Sequence, residues 1–195
     1  MPAWLVVGLG NPGPGYAETR HNIGARVVER LAERLGTRFR KVRFISVEAA
    51  EARLGDQPLY LLRPLVFMNE SGPPVTSFLR KRRLETERLV AVHDDIDLAF
   101  GALRLKRGGS TAGHRGLESL VRALRTPDFF RVRVGVGRPK GRQDAADHVL
   151  DAFSRSEREQ AGFLVEDAAD AVETLIREGL SPAQDRFNRP AAPGA

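Results

Sequence analysis

The chain reads as an α/β layer fold with a mixed sheet. Three observations carry that reading. Short apolar runs alternate with segments whose apolar residues recur at helical spacing. The 195 residues show no internal repeat and no linker, so they form one domain, large enough for a proper core. The first apolar run ends in a glycine-rich turn, and folds of this kind place their sites in loops at strand ends.

Trp4 to Val7 is a short buried-strand run. Ile23, Val27, Val28, Leu31 and Leu35 share one helical face opposite Arg26, Glu29, Arg30, Glu33 and Arg34, and Gly36 ends that helix. Phe39 to Leu54 reads as extended. The turn Gly55-Asp56-Gln57-Pro58 leads into a strand over Leu59 to Leu62. A loop over Pro64 to Gly72 precedes a helix from Pro74 to Arg82, since proline is tolerated in a first turn. Leu89 to Val92 and Leu103 to Lys106 read as strands, Gly116 to Leu124 as a helix after a glycine-rich loop, and Phe130 to Gly135 as a strand. Ser154-Arg155-Ser156-Glu157 has the form of a capping box opening a long helix that Gly179 closes. The domain is expected to span 1–188, with a disordered Pro- and Ala-rich tail over 189–195.

Composition narrows the chemistry. Zero cysteines exclude disulfides, thiolate metal sites and a cysteine nucleophile. No apolar run approaches membrane length and the N-terminus lacks a signal-peptide pattern, so a soluble cytoplasmic protein is expected, with no membrane contact. The net charge of +6 is unevenly placed: residues 1–143 hold 26 Lys/Arg against 14 Asp/Glu, whereas 144–178 hold 3 against 10. That asymmetry fits an anionic partner on the first three quarters of the chain, and equally a solvated basic face.

Gly8-x-Gly10-x-x-Gly13 formally matches a dinucleotide-binding fingerprint. That motif needs a helix to start inside the turn, facing pyrophosphate. Pro12, Pro14 and Gly15 interrupt here, and the first credible helix begins near Asn22. Glu29 and Glu33 lie inside that helix, where the motif wants an acid at a second strand end. The glycines instead let the backbone turn sharply and present Asn11, and no cofactor is expected.

His21 follows this turn in the run Thr19-Arg20-His21-Asn22, and Asp94 lies in His93-Asp94-Asp95-Ile96-Asp97 after an apolar stretch. A fold that sets Asp94 against His21 makes an oriented general base. With the amides of Asn11 and Asn69 nearby and many arginines, the chain would be a hydrolase acting on a polyanion. Singly, His21 could cap a helix, Asp94 could form a turn, and either asparagine could stabilise a glycine-rich loop. The same His and Asp cluster invites a metal reading. Asp94 is wanted by His21, however, and consecutive residues of a strand point to opposite sides, so no metal is expected.

Gly8-Leu9-Gly10-Asn11-Pro12-Gly13, Tyr16 and Thr19-Arg20-His21-Asn22-x-Gly24 resemble the first signature of the bacterial peptidyl-tRNA hydrolase family. Phe67-Met68-Asn69-x-Ser71-Gly72 is similar to its second motif. His93-Asp94-Asp95-x-Asp97-Leu98, followed by Gly101, Arg104, Lys106, Gly108-Gly109 and Gly113-His114-x-Gly116-Leu117, is similar to its third. The resemblance runs from Leu5 to about Asn188. It implies a single-domain α/β/α sandwich with a mixed, largely parallel twisted sheet. It also implies metal-free hydrolysis of the ester joining a peptide to the 3′ end of tRNA, recycling peptidyl-tRNA released from ribosomes.

By the same resemblance His21 is the base that activates water and Asp94 its partner. Asn11 helps discriminate N-blocked from free aminoacyl-tRNA, and Asn69 binds substrate. Histidine suits the role because its unperturbed pKa of about 6.5 leaves it mostly neutral at pH 7. A helix start just after His21 would disfavour imidazolium. Tyr16, Phe67, Met68 and His114 are expected along the path of the 3′ adenosine or the peptide. Lys106 and Arg133 match positions that contact acceptor-stem phosphates. Arg104, Arg107, Arg131, Arg138, Lys140 and Arg142 could extend that patch, and Arg80-Lys81-Arg82-Arg83 is a looser candidate. Arg115 departs from the asparagine many relatives carry, so it takes no role by analogy; it could grip a phosphate or lie across the peptide path. A monomer is expected. The rival reading is an RNA-binding protein that has lost turnover. The presence of all four of His21, Asp94, Asn11 and Asn69, without added length, argues against it.

Overall fold

β1 (Trp4–Gly8) sits at the centre of a seven-stranded sheet and is buried along nearly its whole length, which is why its sequence is continuously apolar. A computed structural model describes residues 2–188; the expected disordered tail, 189–195, lies outside the described residues. The other strands are β2 (Arg40–Lys41), β3 (Val47–Leu54), β4 (Gln57–Pro64), β5 (Leu89–Asp95), β6 (Leu103–Arg107) and β7 (Phe130–Gly135). Their order is β2-β3-β4-β1-β5-β7-β6. β4, β1, β5 and β7 run parallel; β2 and β3 on one edge and β6 on the other run antiparallel to their neighbours. The pattern of elements predicts a mixed sheet, and the family resemblance implies its largely parallel character; the centre is parallel and both edges are antiparallel.

The helices are α1 (Ile23–Arg34), α2 (Gly72–Arg82), α3 (Arg115–Leu124), α4 (Ala145–Leu150), α5 (Arg158–Glu178) and α6 (Leu180–Phe187). Val27, Val28 and Leu31 of α1 and Leu164, Ala168 and Val172 of α5 cover one sheet face, against Val6, Val90, Val92 and Val132. Val75, Phe78 and Leu79 of α2 and Leu117 and Leu120 of α3 cover the other, against Leu5, Val7, Leu62 and Ala91. Alternate residues of β1 and β5 thus feed separate cores, giving an α/β/α sandwich within one domain.

Several boundaries differ from the sequence reading. Residues 42–46 break the extended run expected from Phe39 to Leu54. β5 continues past Val92 through His93, Asp94 and Asp95, all buried. The expected capping box does not start the long helix: the Ser154 N–H donates to Glu157 Oε2 (2.8 Å), and α5 begins four residues later. α4 is too short to show a period. α6 follows α5 at once because Gly179, at φ +94°, lets the chain leave one helix and enter the next.

Close backbone packing fixes where the first loop lies. A Cβ on Gly24 would stand 2.1 Å from the carbonyl oxygen of Val92, and one on Gly8 would stand 2.4 Å from the carbonyl oxygen of Gly24. Both neighbours are backbone, so neither position has slack. α1 is therefore seated directly on the ends of β1 and β5. Gly24→Ala should lower stability by about 3 kcal/mol, the cost of forcing bulk into a filled interior. In a chain of this size that is a fall of roughly 6–12 °C in Tm, read by thermal melting. An unchanged midpoint would show that the contact can open cheaply.

Candidate active site

β1 ends at Gly8 and β5 at Asp95, side by side in the parallel centre of the sheet. From β1 the chain crosses to β4 and its partners; from β5 it crosses to β7 and β6. The crevice at such a divergence is where open α/β sheets bind ligands. A cleft of about 550 Å³ lies there, lined by residues from each of the three family-like motifs.

His21 is the middle residue of a 3-10 turn, Arg20–Asn22, that runs into α1. Its Nδ1 lies 2.8 and 2.9 Å from the two carboxylate oxygens of Asp94, although the residues are 73 positions apart. Asp94 is 2 % exposed. Burial works against its charge, but the N–H hydrogen bonds from the His114 and His21 rings help hold the carboxyl well below the usual carboxylate range. An ionised carboxylate only accepts hydrogen bonds. Nδ1 of His21 must therefore carry the proton, which leaves Nε2 with a free lone pair on a ring that lines the cleft.

Asp94 serves a second imidazole. Nε2 of His114 lies 2.8 Å from Oδ1 of Asp94, and the His114 and His21 ring centroids are 5.0 Å apart. His114 is the N-cap of α3, and its Nδ1 accepts the Leu117 N–H at 3.3 Å. With Nδ1 accepting, the proton sits on Nε2 and is donated to Asp94. The sequence reading put His114 on the substrate path; it also lines the cleft, yet its polar atoms are spent on Asp94 and the helix cap. His93 forms the next layer. Its Nδ1–H donates to the Asp94 carbonyl at 2.7 Å, its ring edge meets His114 at 4.9 Å, and its buried Nε2 has no partner. Burial pushes its pKa well below the ordinary value.

His21, Asp94 and His114 bring one ligand-type atom each within 4.8 Å of one another. Both imidazoles already donate N–H bonds to Asp94, so an ion there would have to displace two ring protons. The neighbouring carboxylates are also engaged: Asp95 binds Arg133 and the Asp97 N–H, and Asp97 binds Arg138.

Asn11 is held from three sides. Its Oδ1 accepts the Met68 N–H (2.7 Å), its N–H donates to Asn22 Oδ1 (2.9 Å), and its carbonyl accepts from Asn22 Nδ2 (2.9 Å). The Asn11 Nδ2 is thereby left as the donor for the cleft. Asn69 is exposed, also lines the cleft, and directly follows Met68, whose N–H binds Asn11. Tyr16 and Phe67 meet edge to face at 6.2 Å, and Phe67 is 53 % exposed. Met68 lines the cleft but is mostly core, 4 % exposed and packed towards Gly116. Arg115 stands exposed on the rim.

Three features escaped the sequence reading. Asn22 orients Asn11. Arg20, 7 % exposed, donates to the carbonyls of Ala152 (2.8 Å) and Asp151 and to Glu157 (2.8 Å). α4 supplies an apolar wall through Ala145, Val149 and Leu150. Asn22 and Arg20 stood inside the His21 motif, which was the one available signal for them.

The basic residues divide. Lys106, on the edge strand β6, and Arg133, on β7 beside it, do not line the cleft, and Arg133 Nε donates to Asp95 (2.8 Å). Burial, then the charges of Arg133 and Arg131, lowers the Lys106 pKa, which marks a locally positive field. Arg131 cannot extend a surface patch: it is fully buried and donates to the carbonyls of Ser110, Gly109 and Pro127, shaping the loop before α3. Arg107 is tied to Asp128, and Arg138 to Asp97. Lys140 and Arg142 are exposed.

Residues 5–194 match the sequence family described as peptidyl-tRNA hydrolase. A peptidyl-tRNA hydrolase from Frankia alni is 51 % identical over 185 residues, covering 95 % of this chain and 93 % of the relative. One from Kineococcus radiotolerans is 48 % identical over 196 residues, covering 97 % and 98 %. The crystal structure of peptidyl-tRNA hydrolase from Acinetobacter baumannii superposes with a TM-score of 0.90 at 32 % identity, covering 97 % of this chain and 96 % of that one.

The tautomers are open to direct measurement. Imidazole ¹⁵N spectra near pH 7.5 should show protons on Nδ1 of His21 and His93 and on Nε2 of His114. A proton on Nε2 of His21 would remove the free base. His93 also sets a pH dependence. Its folded pKa is depressed, so below the unfolded value of about 6.5 only the unfolded chain takes up its proton, and stability falls as pH drops. Each such group contributes a slope of at most about 1.4 kcal/mol per pH unit. Denaturation midpoints between pH 7.5 and 5 should fall less steeply in His93→Leu than in the wild type.

Proposed function

The chain belongs to the peptidyl-tRNA hydrolase family and is an enzyme, and we propose that it cleaves the ester between an N-blocked aminoacyl or peptidyl group and the 3′ end of tRNA by direct attack of water. The His21–Asp94 contact carries this reading. Nε2 of His21 accepts a proton from the water as it attacks the ester carbonyl, the charge that develops on the ring is offset by Asp94 through Nδ1–H, and the proton passes to the ribose 3′ oxygen as the acyl C–O bond breaks. His114 donates to the same carboxylate and fixes its rotation, so the pair is set before substrate arrives. Neither a serine nor a cysteine nucleophile is involved. No metal is needed, because Asp94 is spent on two ring N–H groups.

Asn11 presents an amide donor where the ester carbonyl or the first peptide group would lie, with Asn69 exposed on the segment that Asn11 holds. A neutral amide nitrogen on the substrate fits such a site; a free α-ammonium would be buried without a counter-charge, which is costly. The aromatic pair Tyr16–Phe67 offers a surface for the terminal adenine, and the α4 wall offers apolar cover for the peptide. Lys106 and Arg133 are suited to phosphates of the acceptor stem, giving affinity rather than base readout. Arg115 brings a further positive charge to the rim.

Purified, chelator-treated protein should cleave N-acetyl-aminoacyl-tRNA and largely spare the unblocked form; equal cleavage of both rejects the specificity assigned to Asn11. His21→Ala should lower kcat by at least about 10²–10⁴-fold, the usual worth of a positioned base, and leave tRNA binding nearly unchanged. Lys106→Ala should weaken tRNA binding and reduce the slope of log K against log salt by about 0.9. An unaltered slope would remove the phosphate contact.

A further inference from the structure

At the β2 edge of the sheet the chain assembles a second basic surface from two segments far apart in sequence. Residues 38–46 and 80–84 together hold eight Lys/Arg and no Asp/Glu. Lys81 Nζ donates to the carbonyl of Arg43 (3.1 Å), which joins the end of α2 to the loop between β2 and β3. Arg40, Arg43, Arg80, Lys81 and Arg83 are exposed, and among the described residues none of them makes an ion pair. Arg82 alone is neutralised, by Glu51 at 2.6 Å.

The loop displays an aromatic ring among these charges. Phe44 is 88 % exposed, and its backbone has φ +67°, a conformation that L residues with a side chain rarely adopt. Val42 and Ile45, on either side, pack into the core and pin the loop, so the fold holds Phe44 outward. The Arg43 guanidinium lies 4.5 Å from the ring centroid. The same fold has an apolar interior within a few residues, yet this large ring is kept in water.

Apolar burial does not explain that arrangement, and a solvated charge run explains the cations but not the ring. We infer that this surface binds RNA, with an unpaired base stacked on Phe44 and its flanking phosphates on Arg43, Lys81 and Arg80. Cations free of counter-charges around an exposed aromatic ring are what a single-stranded polyanion with π-faces requires. The site is separate from the one given to the acceptor stem. β2 and β6 are the two edges of the sheet, six strand spacings apart, or about 29 Å at the usual interval. It nonetheless lies at the cleft end of the molecule. The Leu65 N–H bonds the Ser46 carbonyl (2.8 Å), and Leu65 leads into the segment carrying Phe67, Met68 and Asn69. RNA held here would approach the cleft from the side opposite Lys106.

The test is fluorescence anisotropy with a labelled 12-nucleotide single-stranded RNA and a duplex of the same length, in a Lys106→Ala background that weakens the other edge. Arg43→Glu with Lys81→Glu should reduce affinity for both at least tenfold and lower the single-strand salt slope by about 1.4. Phe44→Ala should weaken the single strand by about fivefold or more and leave the duplex unaffected, since only an unpaired base can stack. Thermal melting of each variant checks that the fold is intact, and Phe44→Tyr should restore single-strand binding. Unchanged affinity in the double charge reversal overturns the site. A charge effect without any Phe44 effect, or competition by polyglutamate equal to that of RNA, reduces it to a general anion surface and overturns the assignment to RNA.

Discussion

The Asp94 carboxylate is the constraint around which this site is organised. It is buried, charged, and saturated by ring N–H groups from two helix starts. A buried anion without partners is expensive, so the loops that bring His21 and His114 are held to it as firmly as it is held to them. One atom group thus fixes three motifs. His21 comes from the turn before α1, His114 from the start of α3, and Asp94 from the end of β5. The sheet brings them together because β1 and β5 are neighbours in register, Gly8 beside Val92, and Gly24 seats α1 hard against both.

The layered fold was legible because its signals are repetitive. Alternation of apolar runs and amphipathic segments gave the strands and long helices, and α1 and β7 stand where the pattern put them. What was not legible had no period to read. α4 has too few residues, α6 depends on the backbone freedom of Gly179, and residues 42–46 are apolar enough to pass for strand. Ser154 shows the same limit: the capping-box residues do bond to each other, but they close a turn before the helix.

The site was legible as a set of residues more than as a set of roles. His21, Asp94, Asn11 and Asn69 converge on one cleft, as the family resemblance implied. Roles depend on which atoms are left over once neighbours have been satisfied, and sequence carries little of that. His114 was read as a substrate contact and is committed to Asp94 and a helix cap. Arg131 was read as surface charge and is a buried brace for the loop before α3. Asn22 passed unnoticed although it sets the face that Asn11 shows.

Arg20 gives the cleft a mechanical character. The residue beside His21 fastens the corner where α4 gives way to α5, through the Asp151 and Ala152 carbonyls and Glu157, and the Thr19–Ala152 bridge adds a second stitch. The α4 wall of the cleft and the His21 ring are therefore fastened to the same short stretch of backbone. Any displacement of that wall would load the peptide segment that aims His21. The guanidinium at this joint is almost wholly sealed from solvent, so its grip does not have to compete with water.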